Sequence, residues 1–131
     1  MKRPTAIPAN PDKTQSLILD YHPTDLNTYI NAERSNRFMA AKIKKRETEA
    51  VYWLAKQQLK PVTSKVKLSF YWYVENIKKD PDNIAFAKKF ILDGLKEAGI
   101  IKNDGFKQIE GFSDSFIVNH DTQVIIDIQE I

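Results

Sequence analysis

Lys65-Val66-Lys67-Leu68-Ser69-Phe70-Tyr71-Trp72-Tyr73-Val74 is the stretch that decides the fold, together with the Asp80-Pro81-Asp82-Asn83 that follows it. It first alternates polar with apolar residues and then turns aromatic, which predicts a strand able to bury rings on both faces. Beyond the aspartates, Ile84, Ala87, Ile91, Leu95 and Ala98 fall on one helical stripe with Phe86 and Phe90 beside it. That spacing predicts a helix over roughly 84–98. Gly99 closes it, because glycine enters the left-handed region without steric cost.

Upstream, Ser16-Leu17-Ile18-Leu19-Asp20-Tyr21 reads as a short strand stopped by His22-Pro23, and Pro23-Thr24-Asp25-Leu26-Asn27 as turn chemistry. A long helical pattern runs from Asn31 or Glu33 to Leu59 and is closed by Lys60-Pro61. Met39, Ile43, Ala50 and Leu54 mark its apolar stripe, which Glu47 interrupts. Downstream, 108–112 and 116–118 carry strand character, and 123–131 is a strong strand. Strands and helices mix without a strict βαβ rhythm, so the expected class is α+β: a small single domain with a mixed sheet and two main helices. Residues 1–15 read as an irregular arm and 16–131 as the domain. Trp53 and Trp72 are expected in the core.

The 131 residues, 42% hydrophobic and 28% charged, suit one globular domain with its own core. The apolar runs are too short for a membrane span, and the basic start has no apolar stretch behind it, so neither anchor nor signal peptide is expected. Cysteine is absent, which removes disulfides and thiolate chemistry. His22 and His120 lack carboxylate neighbours at ligand spacing, so neither is expected to bind metal or act as a base. A cytoplasmic location is the expectation.

Net charge is only +3, but it is unevenly spread. Between Glu33 and Arg46, Arg34, Arg37, Lys42, Lys44, Lys45 and Arg46 face a single acid, a candidate footprint for a polyanion. Asp80 and Asp82 are flanked by Lys78-Lys79 and Lys88-Lys89, and Asp104 returns just past the helix. Taken alone, Asp-Pro-Asp-Asn is turn and capping chemistry. Three carboxylates meeting around one helix would instead suit a hard divalent cation beside a phosphodiester.

The run from Lys79 through Asp82, Lys89, Asp93-Gly94-Leu95, Ala98-Gly99 and Asn103-Asp104 resembles the RusA family of Holliday junction resolvases, found in bacteria and their phages. The resemblance is specific over about 79–104 and diffuse elsewhere. It implies a RusA-like fold and a homodimeric, metal-dependent endodeoxyribonuclease of DNA recombination and repair, which resolves four-way junctions by paired symmetric cuts. Asp80, Asp82 and Asp104 match the family's metal-binding catalytic aspartates, and Lys89 matches its catalytic lysine. Mg²⁺ is the implied cofactor, with Mn²⁺ as a substitute. Arg34, Arg37, Lys44, Lys45, Lys78, Lys79 and Lys88 are the expected DNA contacts. Counted forward from Asp82, the family's lysine position falls on Phe86, so about three residues are inserted before Asp93. The helix proper is therefore expected to start late, and Lys88 is the alternative to Lys89. The alternative function is binding of branched DNA without catalysis.

Overall fold

A computed structural model describes residues 13–131. Eight elements follow in the order β1 (Thr14–Leu19), α1 (Leu26–Ser35), α2 (Arg37–Gln58), β2 (Val66–Val74), α3 (Pro81–Ala85), α4 (Lys88–Glu97), β3 (Ile109–Val118) and β4 (Gln123–Glu130). The strands form one mixed sheet in the order β1-β4-β2-β3. β4 runs antiparallel to both β1 and β2, whereas β2 and β3 are parallel. A parallel pair needs a long crossover, and α3 with α4 supplies it. The class is α+β, as the mixed pattern predicts.

Period-two burial along β2 explains its aromatic run. Val66, Leu68, Phe70 and Trp72 join the helices in the main core, together with Leu17 and Leu19 of β1 and Val124, Ile126 and Ile128 of β4. Tyr71 and Tyr73 point to the opposite face and pack with Ile125 and Ile117. The strand thus buries rings on both faces.

Several boundaries move. The irregular arm expected over 1–15 lies outside the described residues up to residue 12, and Thr14 and Gln15 already pair with β4. The single long helix is two. Asn36 leaves helical geometry (φ −168°, ψ 113°), and its side chain accepts a hydrogen bond from the Phe38 amide to start α2. The segment taken as a plain turn contains the first cap, because Asp25 accepts from the Thr28 amide and opens α1 at Leu26. The buried stripe of α2 is Ala40, Ile43, Glu47, Val51 and Ala55, rotated from the expected one. Met39 and Trp53 consequently face out, Trp53 being 66% exposed, and only Trp72 is a core tryptophan.

The stripe Ile84, Ala87, Ile91, Leu95 and Ala98 is buried throughout. Its helix breaks, however, at Phe86-Ala87, where the amides of Ala87, Lys89 and Phe90 bond three residues back instead of four. α4 proper starts after this tightened turn, at Lys88. Gly99 takes φ 73°, and the Ile100 amide reaches back to the Leu95 carbonyl, closing the helix in a Schellman-type cap. At Gly94 a Cβ would come within 2.5 Å of Val51, so glycine is what lets α4 cross α2 closely.

Candidate functional site

Two ends of the sheet must be distinguished. At the end where β2 finishes, Val74 is followed by an exposed loop, and β1 also finishes there because Leu19, like Trp72, pairs with Val124. His22, Thr24 and Asp25 continue from β1, and 119–122 connect β3 to β4 at the same end.

Asp80 is exposed and stands at the N-cap position of α3, where its side chain makes no capping hydrogen bond. Pro81 occupies the first helical turn, which suits a residue without an amide hydrogen. Asp82 is also exposed, and among the described residues its Oδ1 accepts only from the adjacent Asn83 amide at 3.0 Å. Both carboxylates therefore face solvent with most of their lone pairs uncommitted. The loop under them is anchored. Buried Asn83 accepts from the Asn27 amide at 2.8 Å, tying α3 to the start of α1. Lys79 forms an ion pair with buried Asp25. Burial pushes the Asp25 carboxyl up, but its bonds to Lys79 and Thr28 outweigh that and hold it below the ordinary carboxylate value.

Glu47 completes the anchoring. It is buried in the apolar stripe of α2, where its carboxylate accepts a hydrogen bond from the Thr24 amide. The residue that interrupts the pattern in the sequence is thus a clamp on the β1–α1 connection. Nearby Tyr21 is raised to about 12, by burial first and then by the charges of Glu47 and Asp20.

The lysines divide. Lys88 donates to Asp114 Oδ2 at 2.8 Å and lies 5.0 Å from the Phe70 ring centroid and 4.7 Å from that of Phe112. Asp114 is held in turn by Trp72 Nε1 at 2.8 Å. The Lys88 ammonium expected on DNA is therefore engaged within the molecule, by Asp114 and two aromatic rings. Lys89 is 59% exposed, with only a loose 4.0 Å contact to Asp93 one turn on. Lys78 is exposed, and Lys79 keeps most of its side chain in solvent despite its ion pair.

Arg34 closes α1 and Arg37 opens α2; both are exposed and make no ion pair among the described residues. Lys44 and Lys45 line a groove shared with Glu49, Asp93 and Glu97, which balances their charge locally.

Asp104 is the larger correction. Its loop leads into Ile109, which pairs with Val66 at the start of β2, and the Ile100 carbonyl beside it accepts from Val62. Asp80 and Asp82 lie past Val74 at the finish. Eight residue steps of strand, about 26 Å, separate those ends. The helix predicted to join the three carboxylates spans the sheet instead of bending round one point. Among the described residues no group of three acids or histidines is placed to hold a metal ion. Asp80 and Asp82 adjoin Lys78 and Lys79 at one end of the sheet, Lys89 follows in the first turn of α4, and Asp104 lies at the far end. Two carboxylates still fit Mg²⁺, which is held by one or two of them when phosphate oxygens and water complete its shell.

No helix among the described residues is long and apolar enough to cross a membrane. No protein-family model matches the chain, and no curated protein matches it.

Proposed function

We propose that the protein is a metal-dependent endonuclease that cuts branched DNA, with Asp80 and Asp82 at its centre. The observation that carries this reading is the exposed, largely uncommitted acidic pair on an anchored loop, flanked in the chain by the solvent-exposed lysines 78 and 79 at one end of the sheet. Asp80 and Asp82 would hold Mg²⁺, which when bound supplies a water nucleophile and charge neutralisation at the phosphate. Lys89 would stabilise negative charge growing on the phosphoryl oxygens. Lys78 and Lys79 fix neighbouring phosphates, and Arg34 and Arg37 extend the cationic surface. Asn83 and Asp25 position the loop without touching substrate.

Asp104 cannot supply a third carboxylate from the same chain, given the length of β2. In a two-fold homodimer, the arrangement that makes paired cuts, it would be Asp104 of the partner subunit. The test is a labelled four-way junction and its linear duplex incubated with Mg²⁺ or EDTA, comparing the unaltered protein with Asp82→Asn. Symmetric nicks confined to the junction, lost with EDTA and in the variant, are expected. The remoteness of Asp104 favours a second reading, in which the protein binds branched DNA without cutting it. Tight junction binding with no cleavage in any divalent metal would establish that alternative.

A further inference from the structure

The two edges of the sheet are finished differently. At the β1 edge the Gln58 side chain accepts from the Ile18 amide at 2.8 Å and donates to the Ile18 carbonyl at 3.0 Å. Gln15 of the same strand bonds both the carbonyl and the amide of Lys60. The end of α2 thus closes that edge against a further strand.

β3 is the other edge. It is ten residues long, and among the described residues it pairs with β2 alone. It carries no lysine or proline to repel another strand. Its two acids are neutralised inside the chain, Glu110 by Lys65 at 3.1 Å and Asp114 by Lys88 at 2.8 Å. Phe112, Phe116 and Val118 form an exposed apolar strip along it. Two more apolar side chains stand in solvent: Ile77, 85% exposed, in the loop after β2, and Phe106, 95% exposed, in the loop before β3. They belong to opposite ends of the sheet, because Val66 pairs with Ile109 where both strands start and Val74 with Val118 where both finish.

We propose that β3 pairs antiparallel with β3 of a second copy, about a two-fold axis perpendicular to the sheet, joining two four-stranded sheets into one of eight. Antiparallel pairing sets the start of one β3 beside the finish of the other. Asp104 of the partner subunit then comes to the end that carries Asp80 and Asp82, and the partner's Phe106 to the end that carries Ile77. The partner's β3 lies two strand spacings, about 10 Å, from β2, in place of a whole strand's length within one chain. This axis keeps both helix layers on one side of the joined sheet, the side on which α3 begins and α4 ends. The use of Asp104 rests on the nuclease reading; the strand pairing stands without it.

The chain contains no cysteine, so single cysteines report on the pairing. Ile77→Cys and Phe106→Cys change only side chains in solvent. Each is treated with a bismaleimide, alone and co-expressed, with one variant lengthened by a tag so that the products separate on a denaturing gel. Sedimentation of the unaltered protein is expected to give a dimer. The co-expressed pair is expected to give a covalent dimer of one subunit of each kind. Either variant alone is expected to give none, since the two copies of residue 77 lie at opposite ends of the joined sheet, as do those of residue 106. A monomer overturns the proposal, and so does a cross-link between like variants or a dimer without the mixed product. Junction cleavage measured on the same protein separates the two readings. Cleavage without the mixed cross-link overturns this interface and leaves the nuclease standing; the cross-link without cleavage upholds the interface and removes the nuclease.

Discussion

Adjacent lysines on one helix have opposite fates. Lys88 is drawn into the sheet by Asp114 and two aromatic rings, whereas Lys89 points to solvent. Lys88→Ala should therefore lower stability, by about 1–3 kcal/mol, since it leaves a partly buried carboxylate short of its charged partner. Lys89→Ala should leave the urea midpoint unchanged while reducing junction cleavage. Urea melts beside cleavage rates separate the two. Gly94→Ala would drive a methyl group into Val51, and a loss of about 1–3 kcal/mol is expected in the same melts. Asp25 makes a pH prediction. Its carboxyl titrates below its unfolded value, so its contribution is complete above the ordinary carboxylate range and disappears as pH falls through the lower, folded value. Thermal melts of the unaltered protein and Asp25→Asn should differ most near neutrality and converge in acid.

At the scale of elements, polar residues inside apolar patterns set the connections. Glu47 looks like a flaw in a helical stripe, and Asn36 and Asp25 look like ordinary surface residues. In the structure Glu47 clamps the β1–α1 connection, Asn36 divides two helices and Asp25 caps the first of them. Glu47→Leu would fill the same space and leave the Thr24 amide without its acceptor. A destabilisation of about 1–3 kcal/mol by urea melt is expected, despite the greater hydrophobicity. Periodicity located the strand 66–74 and the stripe on 84–98, because those patterns report burial directly. It misplaced the stripe of α2 by a fraction of a turn. Alanines at 40 and 55 weigh little in any apolar count, yet both lie on the buried stripe.

For the whole molecule the decisive fact is the length of the crossover between the parallel strands β2 and β3. It carries Asp104 to the end of the sheet opposite Asp80 and Asp82. If the three act on one phosphate, mixing Asp82→Asn with Asp104→Asn subunits should restore cleavage at one of the two sites of the mixed dimer. A site built within one chain would stay inactive in every combination. Junction affinity should also fall steeply with salt. With Arg34, Arg37, Lys78, Lys79 and Lys89 each meeting a phosphate, log affinity should fall against log salt with a slope of about −4 to −5. A slope near zero would remove the cationic surface from the proposal.

By itself the sequence determined the class of fold, the aromatic strand, the glycine-capped helix, and the acidic pair beside its lysines. All of these are local: they follow from side-chain periodicity, backbone freedom and charges close together along the chain. Only the tertiary structure decided which lysine is free, which stripe of α2 faces inward, and that Asp104 lies a strand's length from its supposed partners. Those depend on where a crossover ends and which neighbours await it, and residues distant in the chain set both.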